Sequence, residues 1–186
     1  MTSLLGFERV ALRRGGRLLF EDLDLAVGPG EALQVTGPNG SGKSSLLRLA
    51  AGLLDAERGQ VERVAIAALA DDHPALDREL PLERALAFWG GAIDQALDAL
   101  GLAHLTDVPV RLLSSGQLKR ATLARVAASE APLWLLDEPL NALDADGAAR
   151  LDKLITNHLV GGGGVLAASH QPLPGDWRQI DLGQGA

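Results

Sequence analysis

The glycine-rich segment Gly37 to Ser44 constrains this chain more than any other. It reads Gly-Pro-Asn-Gly-Ser-Gly-Lys-Ser and lies between an apolar run at 32–35 and a helix-like segment at 45–54. A loop of this composition aims backbone N–H groups at an anion where a helix begins, and its Lys and Ser add a positive charge and a hydroxyl. In this context the pattern G-x-x-x-x-G-K-[ST] is a phosphate-binding P-loop. It predicts that the chain binds a nucleoside triphosphate.

Individual residues of the P-loop have separate predicted tasks. Lys43 is expected to contact the outer phosphates, and the Ser44 hydroxyl is expected to bind Mg²⁺. An ordinary glycine-rich turn is the alternative, but such a turn does not require a Lys-Ser pair after its last glycine. The predicted nucleotide-binding residues here are Gly37, Pro38, Asn39, Gly40, Ser41, Gly42, Lys43, Ser44 and Ser45.

Length and composition limit what surrounds this loop. A chain of 186 residues with 47% hydrophobic and 22% charged residues suits one globular domain, 1–186, better than two. No apolar run approaches the roughly 20 residues of a membrane span, and residues 1–10 do not resemble an export signal, so we expect a soluble, unexported protein. The absence of cysteine excludes disulfides and Cys-ligated metals. A net charge of −7 argues against a nucleic-acid partner.

Short apolar runs predict a parallel core sheet. In residues 4–27, short apolar runs alternate with polar residues instead, and Arg13-Arg14-Gly15-Gly16-Arg17 lies where a hairpin would turn. This pattern predicts an antiparallel β layer. Four short runs are apolar almost without interruption, as is typical of strands buried on both faces: 32–35, 65–69, 133–136 and 165–168.

Helical spacing predicts the crossovers between these strands. It covers 82–89, 93–100, 116–128 and 145–158. We expect an α/β fold of the P-loop nucleotide-hydrolase type, with a parallel core sheet, an N-terminal antiparallel β layer and a small helical subdomain at about 81–130.

A second motif follows the apolar strand at 133–136. The strand ends in Asp137 and Glu138, at the carboxyl edge where open α/β sheets bind nucleotides. This arrangement is a Walker B segment, in which Asp137 binds Mg²⁺ directly or through water. Glu138 is expected to orient or deprotonate the water that attacks the γ-phosphate. Two solvated acids at a strand end are the alternative, which the preceding P-loop disfavours.

A third motif, Leu113-Ser114-Ser115-Gly116-Gln117, opens a predicted helix. Alone it would be interpreted as a helix N-cap. With the P-loop and the Walker B acids, however, the whole chain resembles the ATP-binding-cassette (ABC) ATPases, whose signature is L-S-G-G-Q, and Ser115 replaces the first glycine of that signature. The resemblance implies ATP hydrolysis by a homodimer packed head to tail. Ser114, Ser115, Gly116 and Gln117 would then contact the nucleotide bound to the other subunit.

Two further segments match this family. Asn141 to Asp144 resembles its D-loop, which implies that Asp144 lies at the nucleotide, and Ser169-His170 resembles its H-switch. A single histidine is more often a surface residue, but its place after a core strand favours a γ-phosphate contact and a catalytic role for His170.

Two family features are absent from the sequence. No glutamine occurs near Asp71-Asp72-His73-Pro74, where the family has its Q-loop, and His73 is the nearest equivalent. No aromatic residue stands at the usual adenine-stacking place either, so Arg14 is the candidate for a cation–π or stacking contact with the base.

The flanking segments resemble one subfamily, the cytochrome c maturation ATPases. The segments that carry this likeness are 14–20, 37–54, 133–144 and 169–173. The resemblance implies a CcmB-like membrane-spanning ABC subunit, associated haem-handling proteins, and a peripheral place at the cytoplasmic face of the bacterial inner membrane. ATP hydrolysis would release a haem-loaded chaperone. No direct haem site is predicted, because no histidine has a Cys-x-x-Cys-His context.

Other functions remain alternatives. An importer or exporter cassette for another substrate would share every ATP motif. A ribosome- or DNA-directed ABC ATPase would usually have tandem cassettes, and a regulator without turnover would not need Glu138 and His170. Phe88 and Trp89 would line a groove for a membrane subunit or pack in a core.

Overall fold

The structure is a computed structural model that describes residues 3–183. Its N-terminal layer is an antiparallel sheet of β1 (Leu5–Arg14), β2 (Arg17–Val27) and β4 (Arg58–Arg63), in the order β2-β1-β4. Gly15 and Gly16 form the two-residue turn between β1 and β2, with φ of 54° and 80°. Left-handed backbone at both turn positions matches the twist of a hairpin. The predicted hairpin is therefore confirmed.

The second sheet is parallel and contains five strands: β3 (Ala32–Thr36), β5 (Ala67–Ala70), β6 (Leu133–Asp137), β7 (Gly164–Ala168) and β8 (Arg178–Asp181). They lie in the order β5-β6-β7-β3-β8. The four predicted core strands are confirmed. Both β4 and β8 were absent from the prediction, because their residues are mostly polar and exposed.

Five α-helices accompany the sheets in residues 3–183: α1 (Lys43–Ala50), α2 (Leu82–Ala87), α3 (Ile93–Ala99), α4 (Ser115–Ala128) and α5 (Ala145–Val160). Two 3₁₀ turns, Ala103–Leu105 and Val110–Leu112, lie between α3 and α4. Every helix predicted after residue 80 is present. No helix among the described residues is both long and apolar enough to cross a membrane.

The bounds predicted for the first helix, 45–54, are wrong at both ends. Gly42 is the N-cap, so Lys43 and Ser44 already belong to α1. At the other end Gly52 takes a φ of 75°, and the N–H of Leu53 donates to the Arg48 carbonyl at 2.8 Å. This is a Schellman motif, in which a left-handed glycine ends the helix.

The parallel sheet separates two hydrophobic cores. Leu133 and Leu135 of β6 face the core shared with α1 and the antiparallel layer. Trp134 and Leu136 face the core shared with α2 to α5. Because successive side chains of a strand point to opposite faces, both sides of β6 are buried, and its end is fixed from both directions.

Candidate functional site

The P-loop connects β3 to α1, and three of its glycines have left-handed backbone. Gly37, Gly40 and Gly42 have φ of 133°, 80° and 106°. A Cβ on Gly42 would lie 3.1 Å from the Cβ of Leu19, so a larger residue would meet both strain and crowding. The local sequence therefore fixes a curved backbone at the start of α1.

Lys43 is buried at the base of this loop. Its ammonium donates to the main-chain carbonyls of Gly37 at 2.8 Å and Pro38 at 3.1 Å. Ser41 is also buried, and its hydroxyl has no hydrogen-bond partner among the described residues. The positive charge of Lys43 thus lies inside the curve of the loop, where an anion would be held.

A cavity of about 500 Å³ opens over the P-loop. It brings the Walker B acid Glu138 to the same space as Lys43 and Ser44. Its wall is formed by Arg14, Leu19, Asn39, Gly40, Gly42, Lys43, Ser44, Ser45 and Glu138. Leu19 was not singled out from the sequence, because a leucine in a strand carries no signal for a ligand. Arg14, the predicted candidate for a contact with the base, also lines this cavity.

Strand order explains this convergence. The neighbouring strands β3, β7 and β6 end at one edge of the parallel sheet. They carry the P-loop, His170 and the Asp137–Glu138 pair respectively. Residues more than 90 positions apart in the sequence are therefore brought to a single site, as expected at the carboxyl edge of a parallel sheet.

Asp137 is buried at the end of β6, with 4% of its surface exposed. Burial raises the pKa of its carboxyl group, while the neighbouring Ser44 hydroxyl acts in the opposite direction. The carboxylate and the hydroxyl both offer oxygen atoms as metal ligands. These two residues fit a divalent cation such as Mg²⁺.

Glu138 and His170 contact each other directly. The His170 Nδ1 lies 2.8 Å from Glu138 Oε2. Glu138 has a φ of 43°, and its N–H donates to the Ala168 carbonyl at 2.8 Å. Left-handed backbone at a residue other than glycine is strained and is often found at functional positions. With this backbone the Glu138 side chain lines the cavity over the P-loop.

Gln34 anchors the turn that carries His170. This side chain is 1% exposed within β3, and its amide donates to the Gln171 carbonyl at 2.7 Å. The Ser169 hydroxyl donates to the same carbonyl at 2.9 Å. Sequence analysis missed Gln34, because a single polar residue in an apolar run gives no indication of its partner.

The signature residues do not line this cavity. The Ser114 hydroxyl accepts a bond from the Gln117 N–H at 3.3 Å, and the Gln117 side chain accepts one from the Ser114 N–H at 2.8 Å. This capping box provides hydrogen-bond partners for two backbone N–H groups at the start of α4. Ser114 and Ser115 are both exposed, and Gly116 is partly exposed. The segment is thus available to another molecule.

The D-loop packs beneath the signature. A Cβ on Gly116 would lie 2.8 Å from the Ala142 carbonyl, so these two segments approach as closely as only glycine permits. Asp144 is the N-cap of α5, where its carboxylate accepts a bond from the Gly147 N–H at 2.8 Å.

His73, the nearest equivalent of the missing Q-loop glutamine, lies at the surface of this chain. Its side chain is 81% exposed and lies 3.8 Å from Asp71, which also pairs with Arg48 at 3.3 Å. The cavity over the P-loop does not include it. A basic residue that the sequence did not reveal lies closer to the acids: the Lys119 ammonium donates to the Asp137 carbonyl oxygen at 2.9 Å.

Together these features define a nucleotide-hydrolase cassette with a P-loop, a Walker B acid pair and a histidine on the strand between them. The model of the ABC transporter family matches residues 20–141. The chain is 54% identical to the cytochrome c biogenesis ATP-binding export protein CcmA of Sphingopyxis alaskensis, with 91% of each chain covered. It is 56% identical to the CcmA of Novosphingobium aromaticivorans, over 88% of this chain and 87% of that one.

Two more distant relatives support the same assignment. The CcmA of Pseudomonas putida is 40% identical over the full length of both chains. The solved ATP-binding subunit of an ABC transporter superposes with a TM-score of 0.83 at 22% identity, covering 90% of this chain and 80% of that one, which shows the fold. The chain belongs to the ABC transporter ATP-binding family, among the ATPases of the CcmA type, and it binds and hydrolyses ATP.

Proposed function

We propose that this chain is the ATP-hydrolysing subunit of a membrane ABC complex for c-type cytochrome biogenesis, and that it drives release of a haem-loaded chaperone. The observation that carries the hydrolytic part is the contact at 2.8 Å between His170 and Glu138, the acid that lines the P-loop cavity. The biogenesis part rests on the relatives, which are cytochrome c biogenesis ATP-binding export proteins. The unit is the whole chain 1–186, with residues 81–130 as its helical subdomain.

In the proposed mechanism the P-loop binds the phosphates. The N–H groups of Asn39 to Ser45 surround them, and Lys43 neutralises the outer charge. Ser44 and Asp137 are the residues that would hold Mg²⁺, which supplies charge neutralisation at the phosphates when bound. Glu138 accepts the proton of the attacking water. His170 orients the Glu138 carboxylate and contacts the γ-phosphate.

We propose that Arg14 and Leu19 contact the adenine base of ATP. Among the residues that line the cavity none is aromatic, so a planar guanidinium and an aliphatic side chain are the groups able to cover a purine. Arg13, its neighbour, bonds instead to Glu57 at 3.2 Å and to the Gly16 carbonyl at 3.0 Å. Replacing Arg14 by Ala should weaken binding of ATP but not of inorganic tripolyphosphate, while replacing Arg13 should change neither. Equal weakening for both ligands would assign Arg14 to the phosphates.

We propose that the signature acts across a head-to-tail homodimer. The exposed serines of the signature lie outside the chain's own cavity, and a second subunit would bring them to its nucleotide. Ser114, Ser115, Gly116 and Gln117 would then contact the γ-phosphate from the partner, with Asp144 near the interface.

Mixed dimers test this arrangement. A Lys43→Ala subunit paired with a Ser114→Arg subunit places both changes in one composite site and leaves the other intact. Partial ATPase activity should therefore return relative to either homodimer. If heterodimers form and remain inactive, the arrangement is wrong.

As an ABC ATPase the chain acts with a membrane partner, and we propose a CcmB-like subunit at the cytoplasmic face of the inner membrane. Phe88 is 83% exposed, so the alternative that it packs in a core is wrong. It contacts Trp89 edge to face, with ring centroids 5.4 Å apart. The pair offers an apolar contact for that subunit, and other haem-handling proteins would bind beyond it.

A strain whose only copy carries Glu138→Gln tests the biological assignment. Haem should stay attached to its chaperone while covalent haem staining of the c-type cytochromes is lost, and general nutrient uptake should continue. A normal set of c-type cytochromes would favour the alternative, an ABC importer or exporter for another substrate.

A further inference from the structure

Lys119 connects the signature helix to the Walker B strand of its own subunit. It is the fifth residue of α4, whose first turn carries the signature. Its ammonium donates to the main-chain carbonyl of Asp137, the last residue of β6, at 2.9 Å. A charge-assisted bond to a strand end is stronger than one between neutral groups. The bond fixes the end of β6 relative to α4.

The surroundings of Lys119 are acidic. In the register of the parallel pair β5 and β6, Ala70 is opposite Leu136. Asp71 and Asp72 therefore leave β5 beside the point where the Walker B acids leave β6. The acid side chains that attract Lys119 are Asp72, Asp137, Glu138 and Asp71.

Other cations near this edge have different partners. Arg48 bonds to Asp71 at 3.3 Å, and Lys43 is held by two P-loop carbonyls. Burial lowers the pKa of Lys119, and the four carboxylates act in the opposite direction. Lys119 is therefore partly desolvated, bonded to the main-chain oxygen of Asp137, and surrounded by carboxylates.

We propose that Lys119 is a positioning residue for hydrolysis: it holds Asp137 and Glu138 in place and transmits the movement of α4 to them. The proposal rests on the head-to-tail dimer proposed above. There, the first turn of α4 contacts the nucleotide of the other subunit, while Lys119 bonds to the main chain of Asp137 in its own subunit. One helix then links the two ATP sites, and closure at one site aligns the acids of the other.

If Lys119 positions the acids, its replacement should lower the rate of ATP hydrolysis without weakening ATP binding. Lys119→Met should lower kcat about ten-fold or more, since a hydrogen bond of a charged group is lost. The dissociation constant of a fluorescent ATP analogue should stay within about two-fold of the parent value, because Lys119 lies outside the nucleotide cavity. Lys119→Arg, which keeps a charged donor, should restore most of the turnover. Lys153→Met, at an exposed lysine of α5, is the matched control.

Heterodimers in the purified membrane complex, with two differently tagged copies, show where Lys119 acts. Ser114→Arg inactivates the site on the other subunit's P-loop and leaves one live site. If Lys119→Met is in the same subunit as Ser114→Arg, the live site has acids without their lysine, and its rate should fall about ten-fold. If the two changes are in different subunits, the live site has intact acids, and its rate should match that of Ser114→Arg paired with the parent chain.

Each other result overturns the proposal. Equal loss in both heterodimers would show that Lys119 only stabilises α4. A greater loss with the changes in different subunits would assign Lys119 to the signature. If Ser114→Arg paired with the parent chain is already inactive, the head-to-tail arrangement fails and the role of Lys119 with it. Should Lys119→Met lower the melting temperature, Lys119→Gln replaces it in the same comparison.

Discussion

Replacing Glu138 by Gln should separate ATP binding from hydrolysis. The amide has nearly the size of the carboxylate but cannot accept the proton of the attacking water. Glu138 is on the cavity wall, and only 20% of its side chain is exposed, so a nearby solvent molecule is a poor substitute for the lost base. General-base catalysis typically contributes about 10²- to 10⁴-fold, so kcat should fall by about 10³-fold. ATP affinity should stay close to that of the parent.

The contact between Glu138 and His170 allows a second prediction, about the double variant. At 2.8 Å, the imidazole and the carboxylate are close enough to act as one unit. Groups that act as a unit give strongly non-additive losses. The double variant Glu138→Gln/His170→Ala should therefore be no slower than the slower single variant.

Steady-state phosphate release gives kcat for the parent, both single variants and the double variant. Calorimetry with ATP, on the same protein batches, shows whether binding is retained. Turnover of Glu138→Gln near the parent rate would remove Glu138 from the role of base. Fully additive losses in the double variant would show that the contact with His170 has no part in catalysis.

Three more predictions concern charge at buried positions. Lys43→Ala should weaken ATP binding about ten-fold or more, because a charged donor to the phosphates is lost, and unchanged affinity by calorimetry would contradict this. Asp137→Asn should abolish Mg²⁺-dependent hydrolysis yet raise the melting temperature at pH 7, because burial raises the carboxyl pKa and ionisation costs stability above the unfolded value of about 3.9. That gain should shrink as the pH falls and disappear at about pH 3, where both states are protonated; a gain that is independent of pH would refute the cause. Burial lowers the pKa of His158, which stacks on Trp134 at 3.8 Å, so the unfolded chain binds more protons below about pH 6.5 and stability should fall there. His158→Gln should lose less stability than the parent between pH 7 and pH 5.5 in thermal melts, and an equal loss would exclude His158 as the source.

Much of the fold and site follows from local sequence signals. The P-loop glycines and the acids after an apolar strand depend on near neighbours, so their pattern predicts both structure and position. Strands β4 and β8 could not be predicted, because they are polar edge or surface strands whose pairing depends on distant partners. The end of α1 was placed too late, since the effect of Gly52 depends on its backbone angle.

Residues that act through long-range contacts were not predictable. Lys119 resembles any charged residue on a helix, and its bond to Asp137 spans 18 positions. Leu19 faces the cavity because β2 packs against the P-loop, a contact that no pattern within β2 indicates. For His73 the family resemblance suggested a role, and its position as the nearest equivalent of the Q-loop glutamine stays a prediction; the exposed side chain lies 3.8 Å from Asp71.

The buried Gln34 shows that a core residue can matter more for positioning a neighbouring turn than for filling the core. A leucine there would suit an apolar strand and save the cost of burying an amide. It would, however, remove the donor that reaches Gln171 across 137 positions, and the turn bearing His170 would keep only main-chain bonds to β3, such as that from the Ser169 N–H to the Val35 carbonyl. We expect such a variant to fold with intact ATP motifs and a less firmly held His170. A choice of substitutions by hydrophobicity alone would therefore accept a change that loosens a residue of the ATP site from within the sheet.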